Sequence, residues 1–269
     1  MMGKNPVFVF ILLISIVLSS CTGYNKLLKS KDFEKKYEAA VSYFDKGDYF
    51  KAQQLFDELL VIYRGTPRAE EVYFKYAYSF FHMKDYLSAA YHFQRYAITF
   101  SKSERTEEAL FMSAYCKYLD SPKWSLDQSS TLEAISQLQS FINIYPNSER
   151  LATCNQYIDE LRLKLERKSF EKAKLYHTTG YDRSAMVALN LFLKNHPGSV
   201  FREEAMYLVL DAAYRYASNS VASKKQERFS EAQQAYDALL LAFPEGTFRT
   251  SADLIKRKID TETAKITTE

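Results

Sequence analysis

Histidine, cysteine and serine are the residue types in this chain that could bind a metal or act in catalysis. The sequence has no Cys-x-x-Cys, no His-Glu-x-x-His and no glycine-rich phosphate loop, and zinc sites and nucleotide sites need such spacings. Scattered Ser, His and Asp residues define no catalytic triad. The histidines, none of which has metal-ligand spacing, are His82, His92, His177 and His196. We therefore expect a protein that is not an enzyme and that binds no metal or dissociable cofactor.

Two of the three cysteines, Cys116 and Cys154, occupy apolar positions of predicted helices. They could form a disulfide in an oxidising compartment or stay as two buried free thiols, and the sequence leaves both open. Three cysteines in 269 residues exclude a small scaffold held together by several disulfides.

The third cysteine, Cys21, follows an N-terminal segment that is typical of a signal peptide. Lys4 precedes an apolar stretch from Val7 to Leu18, which is shorter than the ~20 residues that a membrane-spanning helix needs. The tetrapeptide LSSC that ends at Cys21 resembles the bacterial lipobox. That resemblance implies removal of residues 1–20 as a lipoprotein signal peptide, with diacylglycerol and an N-linked acyl chain such as palmitate on Cys21. An ordinary secretory signal and an uncleaved anchor remain as alternatives.

The residues after Cys21 bear on where the protein resides. Thr22 stands where inner-membrane lipoproteins of well-studied envelopes carry Asp, a resemblance that favours the outer membrane, and we expect the periplasmic face. Residues 21–32 would form a lipidated tether. The formal net charge of +3 is too small to indicate nucleic acid binding, which requires Lys and Arg massed on one face.

The rest of the chain repeats a helix-turn-helix pattern. Seven glycines and six prolines in 269 residues favour helices over many short strands. Residues 47–52 with Phe56 have the same layout as residues 84–89 with Phe93, offset by 37 positions, and the frame recurs three further times. This pattern resembles the tetratricopeptide repeat, in which small residues let the two helices of a unit cross closely. The alanines that we assign to this packing are Ala40, Ala52, Ala77, Ala89, Ala114, Ala134, Ala173, Ala185 and Ala232.

Two longer helices interrupt or end the repeats. From Ser148 to about Tyr176 no Pro or Gly breaks an apolar stripe, which predicts a connecting helix; a stripe within residues 252–266 predicts a C-terminal capping helix. We thus expect an all-α fold, a tetratricopeptide-repeat superhelix (α-solenoid) of about five helix pairs. The N-terminal module would span residues 33–165, with three repeats plus the connecting helix, and the C-terminal module residues 166–269, with two repeats plus the capping helix.

In a tetratricopeptide repeat the first helix of each unit lines the inner face. With the alanines as the frame, this face of the first three units is rich in aromatic rings, and large rigid rings suit the binding of a peptide. The same rings could instead pack the helix against its neighbour, and both interpretations stay open. In the fourth unit the row becomes charged from Arg167 to His177. The residues that we predict to form a peptide-binding groove are Tyr37, Phe44, Phe74, Tyr78, Phe81, Phe111, Tyr115 and Tyr118.

The lipobox, the five repeats and the long helix between a three-unit and a two-unit module together resemble the BamD family, the lipoprotein component of the outer-membrane β-barrel assembly complex. The resemblance implies a non-enzymatic outer-membrane lipoprotein. It also implies that the N-terminal module binds the aromatic-ended C-terminal signal of unfolded outer-membrane proteins. The C-terminal module would bind the barrel-forming subunit, BamA.

Two alternatives stay open at this point. A lipoprotein of the same architecture could be a scaffold of another envelope complex. Aromatic rings also stack on sugars, so a glycan-binding lipoprotein is possible, and that function predicts exposed rings on loops such as Trp124 in residues 121–130.

Overall fold

The structure, a computed structural model, describes residues 23–268. Cys21 and the predicted signal peptide lie outside the described residues. Within them the chain is helical and has no strand, which confirms the all-α fold of consecutive helix pairs. No helix in this range is both long enough and apolar enough to cross a bilayer. After a first helical segment at residues 23–28, the helices are α1 (Phe33–Asp45), α2 (Tyr49–Ile62), α3 (Ala69–His82), α4 (Tyr86–Thr99), α5 (Thr106–Asp120), α6 (Ser129–Ile144), α7 (Leu151–Thr178), α8 (Asp182–Asn195), α9 (Arg202–Ser218), α10 (Ala222–Ala242) and α11 (Arg249–Thr268).

The helices form two compact units. Unit 1 comprises the described residues up to Pro122 together with Ser129–Ile158, and unit 2 comprises Lys123–Gln128 and the residues from Asp159 onward. The boundary falls within the long helix α7. Unit 1 therefore holds the pairs α1–α2, α3–α4 and α5–α6, and unit 2 holds α8 to α11 with the second part of α7.

Small residues lie where paired helices approach each other. All nine alanines of the repeat frame are buried, and none exposes more than 5% of its surface. A larger side chain at these positions would push the two helix backbones apart, because interiors are already close-packed. Leu210 takes the equivalent place in the fifth repeat and is also fully buried.

A residue with positive φ turns the chain from the first helix of a pair to the second. Gly47 (φ 81°) and Gly180 (φ 78°) stand five residues before the packing alanines of the first and fourth repeats. Lys84 (φ 62°) occupies the same place in the second repeat. Glycine adopts this conformation without strain, whereas a residue with a Cβ does so at a cost. In the first two repeats an aspartate follows, and its side chain accepts a hydrogen bond from a backbone N–H in the next helix.

Glutamates near the start of the first helix of a unit connect that unit to the next one. Acidic side chains in the first turn of a helix interact favourably with the positive end of its dipole. In the structure, the Glu70 carboxylate accepts hydrogen bonds from Ser103 Oγ at 2.6 Å and from the hydroxyl of Tyr96 at 2.9 Å. The bonds from the Ser103 and Tyr96 hydroxyls lower the pKa of the Glu70 carboxyl below its usual value, the Ser103 bond contributing more.

The same bond recurs along the chain. Ser148 donates to Glu107 at 2.5 Å in unit 1, and Ser199 donates to Glu166 at 2.5 Å in unit 2. At the last turn the backbone N–H of Phe248 replaces the serine and donates to Glu203 at 2.9 Å. In each case a glutamate of one repeat therefore holds the turn that precedes a later helix.

Candidate functional site

The inner face of unit 1 uses two of its tyrosine hydroxyls for internal bonds. Tyr37 donates to Glu71 at 2.8 Å, and Tyr78 donates to Glu108. Burial, assisted by the bond to Glu71, raises the pKa of Tyr37 to about 12. These hydroxyls hold neighbouring repeats together, so it is the faces and edges of the rings that remain for a ligand.

An arginine covers one ring of each repeat in unit 1. The guanidinium carbon lies 4.9 Å from the ring centroid of Tyr37 for Arg68, 5.1 Å from that of Phe74 for Arg105, and 4.4 Å from that of Phe111 for Arg150. Arg68 also forms an ion pair with Glu34. Such stacking leaves the N–H donors at the edge of a guanidinium available to an anion. The repeat frame did not identify these arginines, although each one is the residue directly before a helix and the first two recur at the repeat offset of 37.

An open cleft between α1 and α3 brings together three of the eight predicted groove residues. Its volume is about 400 Å³. Two cations, Lys75 and Arg105, and one carboxylate, Glu71, lie among the aromatic side chains of its lining. Lys75 Nζ lies 4.8 Å from the ring centroid of Phe44 and 3.8 Å from the carboxylate of Asp45, and Arg105 has no ion pair among the described residues. The lining residues are Phe44, Glu71, Phe74, Lys75, Tyr78, His82 and Arg105.

His82 gives the cleft a neutral side wall. Its imidazole stacks on the ring of Tyr49 with centroids 4.3 Å apart. Burial lowers the pKa of His82 below its usual value, so the ring is uncharged at neutral pH. The positive charge of the cleft therefore comes from Lys75 and Arg105.

The remaining rings of the predicted groove do not line this cleft. Tyr37 lies beneath Arg68, and Phe81 lies 6.1 Å from Tyr115 by ring centroids. Tyr115 and Tyr118 stack on Tyr157 of α7 at 5.4 Å and 4.1 Å. These rings therefore pack mainly against other parts of unit 1.

Phe111 is the groove residue that differs most from its expected role. It is only 8% exposed and lies beneath Arg150, so its face is closed to a ligand. The sequence pattern did not distinguish it from Phe74, because both hold the same position of the repeat.

In unit 2 the inner row carries charges that are paired with one another. Lys174 forms an ion pair with Glu204 at 2.5 Å, and His177 Nε2 lies 2.8 Å from the carboxylate of Asp211. Arg215 contacts the same aspartate at 3.3 Å and Asp182 at 2.9 Å. Burial raises the pKa of the Asp182 carboxyl, with Arg215 opposing the shift.

Rings cover rings in unit 2 where arginines cover rings in unit 1. Phe201 stacks on Phe170 with centroids 4.9 Å apart, and Phe248 stacks on Tyr207 at 4.7 Å. Phe170 is 1% exposed. The face of the Phe170 ring is therefore closed to a ligand.

Unit 2 has an open groove of its own between α8 and α10. Its volume is about 640 Å³, and its floor includes the apolar residues Met186, Met206 and Val209. Charges of both signs stand on its rim, including Arg183 and Glu231. Methionine side chains adapt to partners of different shape.

Three other predicted features have clear places. Cys116 and Cys154 are buried free thiols, and burial raises the pKa of both, that of Cys116 to about 12. Trp124 is half-buried, and the guanidinium carbon of Arg167 lies 5.0 Å from its ring centroid. Among residues 23–268 no group of three His, Cys, Asp or Glu residues is placed to hold a metal ion.

Comparisons with known proteins give one positive result. A family model described as YfiO, outer membrane lipoprotein, matches residues 29–182, which is more than half of the chain. The match covers α1 to α7 and ends at the first residue of α8, so it is shorter than the whole-chain resemblance that the sequence suggested. A search of curated proteins found no match.

Proposed function

Since the chain belongs to the YfiO family of outer membrane lipoproteins, we propose that it is a non-enzymatic, BamD-like component of the β-barrel outer-membrane protein assembly complex. Acyl chains on Cys21 attach it to the periplasmic face of the outer membrane. Several chains on one residue give a stable attachment, because each buried CH₂ contributes about 0.8 kcal/mol.

Unit 1 takes up unfolded outer-membrane proteins through the cleft between α1 and α3. The observation that supports this role is the pairing of aromatic walls with two cations, Lys75 and Arg105, in one open site. A peptide that ends in an aromatic residue offers a ring for the walls and a terminal carboxylate for the cations. Phe44, Phe74 and Tyr78 form the walls.

Unit 2 binds the barrel-forming subunit. Its inner row is closed by ion pairs and stacked rings, whereas the groove between α8 and α10 has an apolar, methionine-containing floor and a charged rim. A floor and rim of this kind are typical of protein interfaces. Affinity purification of the membrane-attached protein tests this role, and the barrel subunit should come with it.

Titration of a peptide that carries an aromatic-ended barrel signal tests the cleft. We expect Arg105→Gln to weaken binding about tenfold, because a charge-assisted hydrogen bond to the carboxylate is lost. An amidated peptide should bind equally weakly to both proteins. Arg150→Gln is the matched control, since Arg150 covers a ring in the same way but does not line the cleft.

Equal affinity of the native protein for the free-acid and the amidated peptide would rule out recognition of the carboxylate by the cleft.

The lipid attachment has a separate test. Cys21→Ser should remove the acylation site, and a protein that still incorporates labelled palmitate would contradict attachment at Cys21.

A further inference from the structure

The N-terminal end of unit 1 is fixed on the protein by Tyr24. Tyr24 is 9% exposed, and its hydroxyl donates to Gln54 Oε1 at 2.8 Å and to the Lys51 carbonyl at 3.2 Å. Its ring also meets that of Tyr43 edge-on, with centroids 5.5 Å apart. The start of the described chain is thus a packed part of unit 1.

The short distance from Tyr24 to Cys21 brings this end of unit 1 close to the bilayer. Only three residue steps separate the two positions, which a fully extended chain spans in at most about 11 Å. This step depends on the proposed acylation of Cys21. With the acyl chains in the bilayer, the surface around residues 23–35 lies at the membrane.

Lysines converge at this place. Lys26, Lys29 and Lys35 line one open groove of about 790 Å³ together with Leu27, and no acidic side chain lines it. All three lysines are exposed, and none forms an ion pair among the described residues. Two acids lie close to these lysines in the sequence. Asp32 caps α1 by accepting the backbone N–H of Lys35 at 3.0 Å, and Glu34 forms an ion pair with Arg68.

Some lysines elsewhere in the described residues have acidic partners. Lys117 pairs with Glu133 at 3.0 Å and Lys256 with Asp260 at 2.5 Å. Three lysines without an ion pair, in a groove whose lining holds no acid, therefore make a local positive charge.

We propose that the groove lined by Lys26, Lys29 and Lys35 binds the anionic phospholipid headgroups of the bilayer that holds Cys21. The acyl chains supply attachment, which leaves unit 1 free to rotate about its tether. Lysine contacts with phosphate groups oppose that rotation and hold this end of unit 1 against the membrane surface, since basic residues next to a membrane are attracted by anionic lipid.

Vesicle co-sedimentation of the unacylated chain from Thr22 to Glu269, which contains every described residue, tests the groove. Without the acyl chains, any binding reports the protein surface alone. We expect more protein to sediment with vesicles that contain phosphatidylglycerol than with phosphatidylcholine alone, and less of it at high salt. The triple variant Lys26→Glu, Lys29→Glu, Lys35→Glu should bind the anionic vesicles on the order of 100-fold more weakly.

A second triple variant, Lys102→Glu, Lys172→Glu, Lys194→Glu, is the matched control. It changes the net charge by the same amount at exposed lysines outside the groove, and it should retain most of the binding. Equal losses in the two variants, or equal binding to neutral and anionic vesicles, would overturn the proposal. Circular dichroism of both variants excludes unfolding as the cause.

The outcome is distinguishable from failure of the proposed function. Peptide titration of the groove variant should match that of the native protein, since these lysines do not line the cleft between α1 and α3. If the native protein does not bind the peptide, the proposed assembly role is wrong, whereas the vesicle result is unaffected.

Discussion

The two units place a ring at the same position of the repeat and cover it differently. In unit 1 Arg105 lies over Phe74, and in unit 2 Phe201 lies over Phe170. Both arrangements are favourable by similar amounts. Only the first leaves hydrogen-bond donors at the surface, so the same repeat geometry presents N–H donors over the ring in one unit and an apolar cover in the other.

The charges follow the same division. Lys174 and Arg215 in unit 2 have acidic partners, whereas Arg105 in unit 1 has none. Charges that are already paired with one another contribute little to binding, because a ligand would have to break the pair first. Lys174 and Arg215 are therefore held by acids of unit 2, whereas Arg105 of unit 1 forms no ion pair among the described residues.

Cavity formation in the core gives the largest expected effect. Phe141 of unit 1 and Phe192 of unit 2 hold equivalent positions of the repeat and are each 2% exposed. We expect Phe141→Ala and Phe192→Ala each to lower the free energy of unfolding by about 3–5 kcal/mol. Urea denaturation measures both, and a loss below about 1 kcal/mol in either would show that the two cores are not equivalent.

Removal of a shared acid in unit 2 gives the next effect. Asp211→Ala leaves His177 and Arg215 without their common acceptor, and we expect it to lower the free energy of unfolding by about 2 kcal/mol. Arg105→Gln in unit 1 should cost less than about 1 kcal/mol, the usual value of an exposed cation–ring contact. Similar losses in the two variants would show that the paired charges of unit 2 contribute no more to the free energy of unfolding than the unpaired Arg105 of unit 1.

Glu70→Gln should lower the free energy of unfolding by about 1 kcal/mol at pH 7, because the neutral amide oxygen is a weaker acceptor for Ser103 than the carboxylate. The pKa of Glu70 is lowered in the folded protein. Its contribution is therefore present above the pKa of the unfolded chain and is lost as the pH falls through the lower folded pKa. Denaturation at several pH values should show a steeper acid loss for the native protein than for Glu70→Gln. Parallel pH curves would contradict this.

Glu166→Gln applies the same change to unit 2, where Ser199 is the donor. A comparable loss at pH 7 would show that this bond is equally strong in both units.

Exchange of the covering residue gives the smallest effect on stability. Arg105→Phe imitates unit 2, and we expect the free energy of unfolding to change by less than about 1 kcal/mol because a ring–ring contact replaces a cation–ring contact. Peptide affinity should fall as it does in Arg105→Gln. A variant that keeps full affinity would show that Arg105 does not contact the carboxylate.

The repeat spacing predicted the fold well because burial follows a local period. Ala89 and Ala185 are buried as the helix pairs require, and the apolar stripe after Ser148 forms the long helix α7. The stripe of the capping helix α11 is also buried at Ala252, Ile255 and Ile259. A helix repeats every 3.6 residues, so the spacing of apolar residues fixes which face turns inward.

The candidate site was predicted only in part. The repeat frame found Phe44, Phe74 and Tyr78, but it treated Phe111 as their equal. Whether a ring faces a cleft depends on the side chain that the next repeat places over it. That neighbour lies some 31 to 39 residues away in the chain, as with Phe74 and Arg105 or Phe111 and Arg150.

By itself, the sequence determined the helix pairs, their register and the buried alanines, because these depend on spacing within one or two helices. Tertiary structure alone decided that Arg105 forms no ion pair among the described residues and that the hydroxyls of Tyr37 and Tyr78 donate to glutamates of neighbouring repeats. It also decided that Lys26, Lys29 and Lys35 line one groove. The reason is physical: whether a polar or charged group is free depends on all groups within a few ångströms of it, and most of these come from distant parts of the chain.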